Sequence, residues 1–179
     1  MNPIIRRAQI EDAAGIAQVH VASWRTTYAG IIDDQVLNEI SVAQRTRERE
    51  IRLAFPPPGV VTYVAEIDEK IVGFATGGRE RRESSVYTGE LFAIYLLQAY
   101  QGLGIGRQLV QAVVRDLLAQ GLESLLILVL RDNPARGFYE RLGGRVVLET
   151  TFTIGEQVLP EVGYGWPDAR VILTESVEK

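Results

Sequence analysis

Ala99-Tyr-Gln-Gly-Leu-Gly-Ile-Gly-Arg-Gln-Leu-Val110 is the stretch on which the fold turns. Ahead of it runs Glu90-Leu-Phe-Ala-Ile-Tyr-Leu-Leu97, whose branched and aromatic residues predict a buried strand. Behind it, from Arg107 to Gln120, the residues Leu109, Val110, Val113, Val114, Leu117 and Leu118 recur at helical spacing. The glycines therefore stand where a strand hands over to a helix. A helix start carries unpaired backbone N–H groups and the positive end of the helix dipole. Glycine lets the chain curl there and lets a ligand approach, so the place suits a phosphate. Two familiar phosphate loops are excluded. A P-loop ends in Gly-Lys-Ser/Thr, whereas Gly106 is followed by Arg107-Gln108. A dinucleotide fingerprint needs G-x-G-x-x-G and an acid at the end of the next strand. Here the spacing is Gly102-x-Gly104-x-Gly106, and Glu123 precedes the next strand.

The chain around this loop has the size of one domain. Its 179 residues suffice for a real core, and 46% hydrophobic content marks it as globular. It has no cysteine, which excludes a disulfide framework, a thiol nucleophile and Cys-type zinc sites. Met1 to Arg7 holds two arginines and no apolar signal region, and no run reaches membrane-spanning length. A cytoplasmic protein that does not engage a membrane is expected. The net charge of -4 argues mildly against nucleic acid as a partner.

Taken in order, Pro3 to Gln9 predicts a strand, and Ala13 to Tyr28 a helix broken at Gly30. A second helix is expected over Ser41 to Leu53, its Arg45, Arg47, Glu48, Arg49, Glu50 and Arg52 forming a solvated face. Phe55-Pro-Pro-Pro-Gly59 ends it. Val60 to Ile67 and Ile71 to Gly77 read as a hairpin, and Arg79 to Glu83 as a charged loop. Leu125 to Leu130 is a continuous apolar run and hence a buried strand. Asn133-Pro134 should start a short helix, with Asn as cap and Pro in the first position, ended by Gly143-Gly144. Arg145 to Ile154 and Glu156 to Tyr164 form a last hairpin, with a polar tail from Pro167. The order β-α-α-β-β-β-α-β-α-β-β predicts an α/β (α+β) protein with a mixed sheet of about seven strands and flanking helices.

Gln101, Gly104 and Gly106 fit a Gln/Arg-x-x-Gly-x-Gly/Ala signature, which with its flanks resembles the acetyl-CoA loop of the GNAT superfamily of N-acetyltransferases. Asn133-Pro-Ala-Arg-Gly-Phe-Tyr-Glu-Arg-Leu-Gly-Gly144 is similar to a second block of that family, although Arg145 stands where the family usually has an aromatic residue. The resemblance covers Ile4 to roughly Gly165, and so implies one N-acetyltransferase domain over 1–166 and a C-terminal tail over 167–179. It implies the GNAT fold, acetyl-CoA as co-substrate, and no metal. It implies that Gln101, Gly102, Leu103, Gly104, Ile105, Gly106 and Arg107 hold the pyrophosphate of coenzyme A. By the same resemblance Ile94, Tyr95 and Leu96 offer backbone groups to the pantetheine arm and the oxyanion, and Asn133 and Arg136 contact the cofactor.

Acetyl transfer to an amine needs a neutral amine, although a lysine-type amine has a pKa near ~10.4. It also needs a donor for the developing oxyanion and a proton for the leaving thiolate. Tyr139, six residues after Asn133, matches the family's catalytic tyrosine and is the candidate acid; from spacing alone it would equally pack its helix onto the sheet. Glu90, eleven residues before Gln101 as in some members, is the candidate base. Strand alternation puts Glu90, Phe92, Ile94 and Leu96 on one side, with Glu90 roughly 13 Å along the strand from Ile94. It would therefore act from the acceptor side through water, or else be a solvated strand-end carboxylate. Trp24 and Tyr28 stand at the helix end that by resemblance borders the acceptor pocket, or else they pack the core. His20, the only histidine, shares a helix face with Trp24 and reads as structural; no second ligand makes it a metal site, and no Ser-His-Asp set can be assembled. The expected partner is a small-molecule amine or a peptide amine. A non-catalytic module that binds coenzyme A or an amine is the alternative. Dimers are common in this fold, which leaves a homodimer open.

Overall fold

The structure is a computed structural model in which residues 2–82 and 86–174 are described. Glu83 of the charged loop and residues 175–179 of the tail lie outside them. Seven strands form one sheet in the order β1-β2-β3-β4-β5-β7-β6. They are β1 (Ile4–Arg7), β2 (Val61–Ile67), β3 (Lys70–Arg79), β4 (Gly89–Leu96), β5 (Leu125–Leu130), β6 (Arg145–Ile154) and β7 (Gln157–Trp166). Every neighbouring pair is antiparallel except β4 and β5. Parallel strands need a crossover, and α4 (Ile105–Ala119) supplies it. The mixed sheet with flanking helices is as the sequence predicts.

The helices are α1 (Ala13–Thr27), α2 (Asp34–Glu39), α3 (Val42–Ala54), α4 and α5 (Arg136–Arg141). α2 is not foreseen: its six residues are too few for a helical period, although Asp33 caps it by accepting from the Gln35 N–H. α4 buries Leu109, Val110, Val113, Val114 and Leu117 against Leu91, Leu125 and Ile127 on one face of the sheet. α1 buries Ile16 and Val19 against Val64 and Phe74 on the other. A third cluster joins Tyr28, Ile32 and Leu37 to Leu130, with Phe152, Ile154 and Leu159 of the β6–β7 hairpin packed on it.

Two features of β4 build the site. Its pairing with β5 covers only Gly89↔Leu125, Glu90↔Leu126 and Leu91↔Ile127, after which the strands part. Opposite β3 the register moves from Gly77↔Leu91 to Thr76↔Ala93, so Phe92 is an extra residue, a bulge. The bulge resets the alternation that the sequence predicted. Ile94 and Leu96 pack with the α4 cluster to which Leu91 belongs, while Ala93 and Tyr95 pack with the α1 cluster.

The tail does not begin at Pro167 in structural terms. Ala169–Leu173 form a 3-10 turn whose Ala169 and Ile172 are buried in the main core. Gln111 donates to the Ile172 carbonyl at 3.0 Å. Apolar residues too few to set a period are drawn in by tertiary burial, so the segment after Pro167 packs on the core as far as Leu173.

Candidate active site

The site is the cleft where β4 leaves β5, with the glycine loop at one end. Gly104 caps α4 at φ 78° and Gly102 stands at φ 76°, the left-handed region that glycine enters without strain. A Cβ at either position would meet nothing within 4 Å, so the space in front of the loop is open. α4 starts at Ile105, two residues before the periodicity predicts, and Gln108 N–H closes its first turn on the Gly104 carbonyl at 3.2 Å. The N–H groups of Ile105 and Gly106 are thus first-turn donors that no helical carbonyl reaches. This curled, open, N–H-rich helix start fits a diphosphate. Gln101 serves another end: its side-chain amide donates to the Leu96 carbonyl at 3.1 Å and fastens the loop to β4. Arg107 donates to the Arg141 carbonyl at 3.3 Å, and Leu103 projects into solvent. Gly106 faces the Phe138 ring, which a Cβ would approach to 3.3 Å.

Across the cleft, Asn133 does not cap α5 as expected. Its side-chain oxygen accepts from the Ala135 N–H at 2.8 Å and shapes a turn before the helix, which starts at Arg136. Its amide donates to the Tyr28 hydroxyl at 3.3 Å. Arg136 is held on the fold by the Tyr164 hydroxyl and the Arg131 carbonyl, both at 3.0 Å. Tyr139 is 6% exposed and packed between Phe138 and Tyr164, with ring centroids 5.4 and 5.6 Å away. Burial pushes its phenol well above the ordinary tyrosine range, with Tyr95 and Tyr164 adding to the effect. The phenol is therefore protonated at neutral pH. Burial raises the Tyr28 phenol as well, with Tyr95 and Tyr139 as the next causes.

On the α1 side of β4, where the resemblance puts the acceptor, His20, Trp24, Tyr28 and Tyr95 form an aromatic box. The bulge turns the Tyr95 ring away from α4, so its side chain joins the α1 cluster. The ring stacks on His20 at 5.0 Å and 11°. Trp24 lies 5.5 Å from His20 and 5.2 Å from Tyr28. Among the described residues neither ring nitrogen of His20 has a hydrogen-bond partner. Burial, with Arg49 and Arg45 adding to it, lowers the His20 pKa to about 3. The expectation of a wholly solvated α3 face fails at Arg45, Glu48 and Arg49, which are half-buried against the body.

Glu90 is not a solvated strand-end carboxylate. It is 1% exposed and accepts from the Arg81 backbone N–H at 3.2 Å, from Nε at 3.1 Å and from Nη2 at 2.5 Å. Both oxygens are thus engaged before any amine arrives. Glu161, which the sequence reading passed over, lies opposite Leu130 on β7 and is half-buried. Burial raises its pKa, Arg82 opposes this, and Glu90 adds to it. Its only sequence signal was an acid inside an otherwise apolar strand.

The sequence and fold match known proteins. The profile of the acetyltransferase (GNAT) family matches residues 22–144. The chain is 39% identical over 175 residues to an uncharacterized N-acetyltransferase, YuaI, of Bacillus subtilis, covering 95% of this chain and 96% of that protein. Among solved structures, PaiA N-acetyltransferase from Thermoplasma acidophilum in complex with coenzyme A superposes with a TM-score of 0.68 at 24% identity, over 90% of this chain and 98% of that one. YncA from Salmonella typhimurium with acetyl-CoA gives a TM-score of 0.69 at 22% identity, over 100% of this chain and 98% of that one.

Proposed function

The chain belongs to the acetyltransferase (GNAT) family, and from that premise we propose that it transfers an acetyl group from acetyl-CoA to a primary amine by direct attack, without an acyl-enzyme. The observation that carries the reading is the parting of β4 from β5 after Leu91, with the open glycine loop at one end and the buried phenol of Tyr139 beside it. Acetyl-CoA supplies an activated carbonyl and a thiolate leaving group. The N–H groups from Gly102 to Arg107 would hold its pyrophosphate, and the β4 backbone at Ile94, Tyr95 and Leu96 would hold the arm and the oxyanion. Tyr139 keeps its proton through burial and can deliver it to the leaving sulfur.

For the amine's proton, two carboxylates compete. Glu90 would have to release a bond from Arg81 before it could accept a proton through water. Glu161 has no hydrogen-bond partner among the described residues, and its raised pKa moves it toward the working pH of a general base. We assign proton removal to Glu161 through water, and to Glu90 the placing of Arg81.

A small amine suits the acceptor end better than a peptide. The Asp33 N–H donates to the Gln157 side chain at 2.7 Å, and a Cβ on Gly155 would stand 3.3 Å from Val36. The α1–α2 connection and the β6–β7 turn therefore touch, where an extended peptide would need a groove. The test is a screen of small amines and peptides for release of free coenzyme A. Release with small amines supports the reading, release with peptides alone returns the acceptor to proteins, and no release with any amine favours the binding module.

A further inference from the structure

Resting on that reading, we propose that the acceptor amine carries an anionic oxygen group, carboxylate or phosphate, which Arg49 holds at the mouth of the aromatic box. Arg49 lies with its guanidinium 4.8 Å above the Phe74 ring, on a residue that is itself fully buried. Among the described residues it has no carboxylate within ion-pair distance. Glu48, its neighbour in sequence, is held by Arg45 at 2.8 Å. Half-burying a guanidinium without an acid is costly unless something anionic completes it. Burial is also the first cause that lowers the pKa of Arg49, followed by Arg52 and Arg45.

The lining behind Arg49 points the same way. His20 is 8% exposed, and among the described residues both its ring nitrogens lack a hydrogen-bond partner. A neutral imidazole offers one donor and one acceptor. Beside Arg49 the box therefore presents an unused imidazole and, among the described residues, no carboxylate paired with that guanidinium, the reverse of what a polycationic amine requires. Arg49 presents a planar fork that matches a carboxylate or a phosphate. Distance limits the molecule. His20 and Tyr28 are two helical turns apart, about 12 Å along α1. An anion at Arg49 and an amine at the cleft near Tyr28 are thus separated by several bonds.

Calorimetry with the full chain tests this without relying on turnover. Aminohexanoate, 6-aminohexyl phosphate, hexylamine and putrescine are titrated into the parent, Arg49→Gln and Arg49→Lys. The parent should bind at least one anionic probe about tenfold or more tighter than hexylamine and putrescine, as a charge-assisted contact provides. Arg49→Gln should remove that difference, and Arg49→Lys should restore part of it. Tighter aminohexanoate identifies a carboxylate, and tighter 6-aminohexyl phosphate a phosphate. Putrescine or hexylamine binding as well as the acids, or an anion preference that persists in Arg49→Gln, overturns the assignment. Because binding is read directly, a protein that binds the acids but releases no coenzyme A would sink the catalytic reading and leave this one standing.

Discussion

Arg81 donates three hydrogen bonds to the buried carboxylate of Glu90, one of them from its backbone, while its own side chain remains 61% exposed. The charged loop before β4 is thereby pinned to the strand that lines the cleft. Glu90→Gln keeps the shape and loses the charge, at a cost of about 1.5–3 kcal/mol for hydrogen bonds to a charged group. Chemical denaturation should show that loss. Its turnover should fall by the same factor at every pH.

Glu161→Gln should behave differently. If Glu161 takes the amine's proton, the variant is slowest near neutral pH and recovers as the amine deprotonates unaided. Rate-against-pH curves for both variants on one amine decide the matter. A pH-dependent loss in Glu90→Gln and a flat one in Glu161→Gln would reverse the assignment.

The glycine loop gives a prediction about the cofactor. Gly104→Val places a branched side chain at φ 78°, which costs about 1–2 kcal/mol, and fills the space where the pyrophosphate would lie. Acetyl-CoA affinity measured by calorimetry should drop at least tenfold in a protein that still folds. Gly106→Val acts by another route, since its side chain presses on Phe138 and so disturbs Tyr139. It should lower turnover as well as affinity. Unchanged affinity in Gly104→Val would remove the loop from the cofactor site.

Tyr139→Phe retains a ring that packs among Phe138 and Tyr164 and deletes only the proton donor. General acid catalysis is worth ~10²–10⁴-fold, so turnover should fall toward that range with acetyl-CoA affinity little changed. Normal turnover in this variant would make Tyr139 a packing residue.

His20 gives a pH dependence of stability. Its pKa is about 3 when folded against 6.5 as the reference value, so folding favours the neutral ring. The contribution is full above the reference value and is lost as pH falls from there toward the folded value. The slope approaches about 1.4 kcal/mol per pH unit in that window, which amounts to roughly 2 kcal/mol by about pH 5. Urea denaturation at neutral and acid pH should show this loss in the parent. His20→Leu should flatten the dependence in the same window. An equal slope in both would show that other groups carry the acid sensitivity.

Local signals wrote much of this fold into the sequence. Branched residues mark β4 and β5, the helical period marks α4, and glycines that must take left-handed backbone conformations mark the loop between them. These are short-range effects, legible because each depends on neighbours along the chain. The candidate pair of loop and Tyr139 was legible for the same reason, as two contiguous blocks.

What the tertiary structure alone decided are relations between distant residues. The bulge at Phe92 depends on β3 register, and it sends Tyr95 to His20 rather than to the cofactor side. Glu90 meets Arg81 because a loop folds back over β4, and Arg49 meets Phe74 because α3 packs along α1, whose Ile16 and Val19 lie against Phe74. The same charged residues would read as solvated in any helix of that composition. Burial turned Glu90 and Arg49 from expected solvated groups into a buried and a half-buried charge beside the candidate site, and burial is a property of the packed chain rather than of its order.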